Sequence, residues 1–280
     1  MKYANLHLHS THSDCALTPK MLVRIGKALG YHALALTDHE TDRGVKEFMA
    51  IANKEGLHSI SGCEFFGVYE NYNLHLTALD YDMEDPGIRR FIRERVELER
   101  ECTRNCVELG IRNGYIDGIT WNDIVDYAPD GSWICVDTVV NAMILKKIVP
   151  FDFDWAAFRK NVFRSPQAAA FAPMPSAEEV IKIVRKAGGV VALAHPNNQV
   201  HLVEKLVELG LNGIEVSHPS LRDHTPYLAA EAADTFHLYR CGGTDHTGPM
   251  SGCGGTYAIP VFNGITEEEF NILRERRLGR

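Results

Sequence analysis

The sequence predicts an α/β fold, a parallel sheet wrapped by helices and broken once by a helical insertion. Three observations carry that expectation. Short apolar runs alternate with segments of helical period. The alternation stops between about residues 85 and 175. Imidazole and carboxylate side chains recur at the ends of the runs, where parallel α/β folds gather functional groups.

Seven runs read as strands: YANLHLHS, HALALTDHE, HSISGCEFFG, NLHLTALDYD, VVALAHP, GIEVSHP and HLYRCGGTDH. Helices are predicted from Thr18 to Leu29, Gly44 to Glu55, Ser176 to Ala187 and Val200 to Leu209. Pro19 suits a first turn, and Gly188, Gly189 and Gly210 suit helix ends. Ser176 with Glu179 fits a capping box. The insertion opens with a charged stretch, RRFIRERVELERECTRNCVELGI, which reads as a long helix, and shorter helices follow. The expected division is therefore a main domain of residues 1–84 and 176–280 with a cap of residues 85–175.

Apolar content of 45% and charged content of 24% are those of an ordinary globular chain. No apolar stretch approaches the ~20 residues of a membrane span, and the first residues lack the apolar core of a signal peptide. A net charge of -8 argues against broad electrostatic binding to nucleic acid polymers or anionic membranes. Seven cysteines, none in a C-x-x-C pair, read as buried thiols of a cytoplasmic protein. Oligomeric state is not legible.

His7 and His9 alternate with Leu6 and Leu8, so on a strand both imidazoles share one face. Two histidines on a buried face are costly unless something occupies them. Asp14 follows in the loop; Asp38 and His39, Glu64, His75, His195, His218, and Asp245 with His246 fall on later runs. Each signal alone is modest, since a single histidine at a strand end is usually structural. Together they predict a metal cluster. Nitrogen and oxygen donors without cysteine suit Mn, Zn or Fe. So many ligands imply two or three divalent ions, with Glu64 a plausible bridge. Adjacent ions activate a water and neutralise phosphoryl oxygens, which makes hydrolysis the reaction class.

At these residues the chain resembles the PHP (polymerase and histidinol phosphatase) family. The opening H-x-H-x(4)-D motif matches His7, His9 and Asp14; T-D-H-[DE] matches Thr37 to Glu40; and G-x-E matches Gly62 to Glu64. His75 follows, A-H-P matches Ala194 to Pro196, and the closing motif matches Gly243 to Asp245 and Gly248-Pro249. The resemblance implies a distorted (β/α)7 barrel, TIM-like and of PHP type, with an inserted helical cap. It also implies three ions: one on His7, His9, Glu64 and Asp245, a second on Glu64, His75 and His195, and a third on Asp14 and His39. The closing motif departs from the family, with Thr247 where a histidine is expected and His246 one place early. The cap departs too, with CVDT at Cys135 to Thr138 where a G-R-P-H element is expected.

The implied activity is a metal-dependent phosphoesterase in which a metal-bridging hydroxide attacks phosphorus. The substrate would be a small phosphorylated metabolite, a nucleotide or sugar phosphate, including a cyclic phosphodiester taken on to free phosphate. His218 and His246 are the candidate catalytic groups, with His218 a phosphate ligand, a general acid or a structural histidine. Arg43, Arg164, His201 and Arg222 are the candidate substrate contacts, with Arg240 a further cation. Two rivals stay within catalysis: a histidinol-phosphate phosphatase, and an amidohydrolase cleaving a C–N bond. A polymerase-associated proofreading module and a metal-stabilised non-catalytic protein are the others.

Overall fold

A computed structural model describes residues 2–150, 152–168, 174–245 and 263–279. In chain order the elements of the main body are β1 (Ala4–Asn5), α1 (Pro19–Ala28), β2 (Ala33–Ala35), α2 (Val45–Lys54), β3 (His58–Ile60), β4 (Gly62–Tyr69) and β5 (Tyr72–Leu79). The insertion supplies α3 (Pro86–Arg112), α4 (Trp121–Tyr127), α5 (Val136–Leu145) and α6 (Trp155–Phe158), which runs into a π turn at Arg159–Phe163. The body resumes with α7 (Ala177–Lys186), β6 (Val190–Leu193), a 3-10 turn (Val200–Leu202), α8 (Val203–Glu208), β7 (Gly213–Ser217), α9 (Thr225–Thr235), β8 (Tyr239–Gly242) and α10 (Glu267–Arg274).

The helix signals are realised by their caps. Thr18 accepts a hydrogen bond from the Met21 N–H ahead of Pro19, and Ser176 accepts one from Glu179 N–H. Asp85 accepts from Gly87 and Ile88 N–H and so starts α3 at Pro86. That helix has 27 residues, roughly 40 Å at ~1.5 Å per residue. Its first turns bury Ile88, Phe91 and Ile92 in the main core, whereas Cys106 and Val107 near its end join a separate apolar cluster with Ile124, Ile134, Val139, Val140 and Phe158. One continuous rod thus fastens the cap to the body.

The all-parallel expectation needs correcting. β1, β2 and β3 form a parallel sheet, but β4 and β5 are an antiparallel hairpin, and β5 pairs antiparallel with β6 before β6, β7 and β8 run parallel. Only Glu70 and Asn71 join β4 to β5, far too few for a parallel crossover. The third apolar run also splits at Ser61, whose hydroxyl donates to the Tyr81 carbonyl, so the described residues hold eight strands where seven are expected. They make two sheets, of three and five strands, and not one closed ladder. Backbone bonds nevertheless join the sheets beyond their named ends. Glu64 N–H donates to Asp38 O at 3.1 Å and Glu40 N–H to Glu64 O at 2.9 Å, while at the other edge Leu6 N–H reaches Gly242 O at 3.0 Å and Asp245 N–H reaches His7 O at 2.9 Å. Those four bonds lie where the histidines and carboxylates are.

Candidate metal centre

The site is built on chain that has just left its strands. Beyond β1, Leu8 N–H donates to the Thr37 hydroxyl and Leu8 O accepts from Thr37 N–H, so the extended conformation continues. Leu6 and Leu8 pack into two apolar clusters, and His7 and His9 take the opposite face, fully buried. Gly243 permits the close pass of the chain after β8, because a Cβ there would lie 2.4 Å from the His7 nitrogen. Since β5 runs backwards, its first half carries His75 to the same rim, opposite Phe66 on β4.

Glu64 is the hub. Its Oε2 lies 3.2 Å from His7 Nε2, 3.3 Å from His9 Nε2 and 3.2 Å from His39 Nδ1. Its Oε1 lies 3.1 Å from His75 Nδ1 and 3.3 Å from His195 Nε2. Asp245 Oδ1 is 3.0 Å from His9 Nε2 and 3.6 Å from His7 Nε2, and Asp14 faces His9 Nδ1 at 3.2 Å and His39 Nε2 at 3.8 Å. Among the described residues the donor atoms gather in four groupings: His7, His9, Glu64 and Asp245; His39, Glu64 and His75, with His195 beside Glu64; His9, Asp14 and His39; and His7, Glu215 and His218. The floor is closed, while the side chains of His75, His195 and Asp245 keep 31%, 22% and 16% of their surface exposed, so access is from their side.

Electrostatics follow from crowding. Burial alone would lower His7 and His9, but the carboxylates of Glu64, Glu215 and Asp245 around the one, and of Asp14, Asp245 and Glu64 around the other, hold both well above the ordinary imidazole value. Burial would raise Glu64, yet His7, His39 and His75 pull it well below the usual carboxylate range; Asp245 is held well down by His7, His218 and His9 against the same burial. For His39 burial wins over Glu64 and Asp14, and its pKa falls to about 4. Three site residues are also in the left-handed region, Glu40 at φ 56°, His195 at 29° and Asp245 at 48°. Such conformations cost roughly 1–3 kcal/mol each and persist only where surrounding bonds fix them.

Glu215 is a member the sequence reading missed. Its Oε1 accepts from His7 Nδ1 at 2.8 Å, leaving the His7 Nε2 lone pair aimed at Glu64 and Asp245, and its Oε2 accepts the His195 backbone N–H at 2.6 Å. A lone carboxylate inside the apolar run GIEV was the available signal. Asp38, one of the acidic residues at the run ends, supports the site and belongs to none of the donor groupings found among the described residues. It accepts from Ser10 N–H, the Ser10 hydroxyl and the Ser13 hydroxyl, and so ties down the loop that bears Asp14.

His218 stands behind Asp245. Its Nδ1 accepts from Ser220 N–H at 3.0 Å, which puts the proton on Nε2, 3.2 Å from Asp245 Oδ2, and the side chain is wholly buried. The four other candidate contacts lie on the surface. Arg43 donates to Asp130 O at the cap edge, and His201 pairs with the Tyr72 hydroxyl. Arg164 and Arg222 are exposed, and Arg240 is bound to Asp234. None has a described contact with the cluster. His246, Thr247, Gly248 and Pro249 lie outside the described residues. The six described cysteines are buried thiols, and none joins a donor grouping.

Residues 5–99, which bring His7 through His75, match the PHP domain model. Over 290 residues it is 27% identical to a 3',5'-nucleoside bisphosphate phosphatase of Chromobacterium violaceum, covering 98% of this chain and 99% of that one. It is 28% identical over 255 residues to a 5'-3' exoribonuclease of Haemophilus influenzae, 87% of this chain and 89% of the relative. Among solved structures, a chain from Bifidobacterium adolescentis provisionally classed as a metal-dependent phosphoesterase superposes with a TM-score of 0.81 at 24% identity, covering 100% of this chain and 99% of the other. That likeness establishes the α/β fold. No helix among the described residues is long and apolar enough to cross a membrane.

Proposed function

We propose that this protein is a metal-dependent phosphoesterase acting on a small phosphorylated metabolite. One observation carries the reading: five imidazoles, from β5 and from the segments that follow β1, β2 and β6, converge on the fully buried Glu64. Divalent metal suits the donors. Glu64 Oε2 and His39 Nδ1 are buried without a hydrogen-bond partner, and the His7 and His9 Nε2 atoms face one another at 3.1 Å. With Nδ1–H of His7 given to Glu215 and Nδ1–H of His9 to Asp14, the neutral imidazoles would turn two Nε2 lone pairs toward one another, an arrangement that a cation between them satisfies. We assign the holding of two or three ions, Mn, Zn or Fe, to His7, His9, Asp14, His39, Glu64, His75, His195 and Asp245. When bound, such ions supply an activated water and neutralise phosphoryl oxygens.

The chain's own residues do the rest. Glu215 fixes the His7 tautomer, and Asp38 fixes the loop of Asp14. His218, buried behind Asp245, orients that carboxylate, which the geometry favours over direct proton donation. Substrate enters beside His75 and His195. The finer readings belong to the same proposal: a seven-stranded (β/α) barrel with residues 85–175 as its cap, a nucleotide or sugar phosphate substrate with the cyclic phosphodiester among its forms, and a cytoplasmic setting supported by the buried thiols. The exoribonuclease relative supports a second reading, in which the scissile phosphate belongs to an RNA end.

Phosphate release from nucleotide monoesters, bisphosphates, sugar phosphates, five-membered cyclic phosphates and a short RNA, by manganese-loaded protein, tests this. Release abolished in His9→Ala supports the phosphoesterase and ranks its substrates. No release with metal bound overturns it in favour of C–N hydrolysis or a non-catalytic role.

A further inference from the structure

Two large aromatic rings stand at the site and belong to none of the apolar clusters of the described residues. Phe65 is fully buried in the core, but the next side chain, Phe66, points the other way and is half-buried. It stacks on His39 at 4.8 Å and 17° and meets His75 edge-on at 4.8 Å. Trp133, also half-buried, lies 5.6 Å from Phe66 and 5.0 Å from His39, centroid to centroid. Its neighbour Ile134 enters the cap core, whereas Trp133 does not. The loop bearing it is pinned to the body three times: Trp133 N–H donates to His12 O at 3.0 Å, His12 Nδ1 meets the Ser132 hydroxyl at 3.1 Å, and the Thr41 hydroxyl donates to Gly131 O at 3.3 Å. The insertion is therefore bonded so that it delivers one indole ring to the wall of the cluster.

Resting on the phosphoesterase reading, we infer that Trp133, with Phe66 beside it, is the specificity-determining wall that takes the flat heteroaromatic base of a nucleotide whose phosphate lies at Glu64. Trp133 is tilted against Phe66 and His39, at 52° and 58°, and aromatic faces at such a wall suit any planar base without selecting among them. A sugar phosphate has no ring of that kind to place there. The site thus favours nucleotides over simple sugar phosphates.

The test compares kcat/KM for adenosine 5'-monophosphate and ribose 5-phosphate in manganese-loaded wild type, Trp133→Ala and Trp133→Phe. Base stacking predicts that Trp133→Ala lowers the nucleotide-to-sugar ratio by about 5- to 150-fold, mainly through KM. Trp133→Phe should restore most of it. A ratio unchanged while both rates fall would overturn the inference and make the wall a mere support for His39. Equilibrium dialysis of adenosine 5'-monophosphate against metal-free protein gives an answer that needs no turnover: binding at least 5-fold weaker in Trp133→Ala is expected, and equal binding overturns the inference. If the wild type hydrolyses none of the panel of esters named above, the phosphoesterase reading fails, and the dialysis still decides the wall.

Discussion

The body and the cap solve opposite problems. At one end of its sheets the body buries His7, His9, Asp14, His39, Glu64 and Glu215, and it holds Glu40, His195 and Asp245 at positive φ. The cap core of Ile124, Ile134, Val139, Val140 and Phe158 is apolar and holds none of the donor groupings found among the described residues. Desolvated charge is thus concentrated at the end that carries the chemistry, although the cap also buries Arg95 and Asp137. The cap supplies coverage at ordinary hydrophobic stability. Among the contacts that join them is a buried ion pair: Arg95 of α3 donates to Glu40 Oε2 at 2.7 Å, and Glu40 Oε1 accepts from Phe66 N–H at 2.7 Å. Through it the cap reaches the wall of the site.

The contrast breaks most sharply at Glu64. Glu64→Gln keeps the shape but removes the charge that five imidazoles share, so turnover should fall by at least ~1000-fold with loss of bound metal, read by phosphate release and elemental analysis. Retention of full metal content would mean Glu64 is not the hub. Arg95→Ala tests the joint. Breaking a buried pair costs about 3 kcal/mol, measured by urea unfolding, and turnover should fall with it. A stability change below ~1 kcal/mol would show that the cap is held by packing alone.

Much of the body was legible because its ligands come in short motifs at run ends. Thr18, Pro19 and Ser176 announced their helices, and His7 and His9 announced an inward face. The β4–β5 hairpin was not legible. NLHLTALDYD alternates equally well in either direction, and only the two-residue turn, Glu70 and Asn71, fixes the direction. Glu215 escaped because a carboxylate that supports a histidine leaves no spacing pattern. Trp133 escaped for a different reason: its partners, His12, Phe66 and Thr41, lie far away in sequence, and an indole in a cap reads as core.

A smaller test separates holding a ligand from orienting it. Glu215→Gln keeps an acceptor for His7 Nδ1–H but removes the negative charge beside it. Metal affinity or turnover should drop about 10- to 100-fold, and unfolding stability by about 1–3 kcal/mol, because the amide NH2 must then face the His195 N–H. A fold that fails instead would mark Glu215 as a structural rather than an orienting group.

The smallest effect concerns pH at the joint. Burial pushes Glu40 from 4.5 up to about 7, with Arg95 and the Phe66 N–H opposing it. The folded value lies above the unfolded one, so the folded state holds this proton more tightly. The contribution to stability is therefore complete below about 4.5 and is lost as pH rises through about 7. Unfolding in urea at pH 5 and pH 8 should show the wild type losing about 1–2 kcal/mol that Glu40→Gln, having no proton to lose, does not lose. Equal slopes in the two proteins would mean that Arg95 keeps Glu40 ionised throughout. The joint would then be a fixed ion pair that belongs, like the site, to the charged half of the comparison.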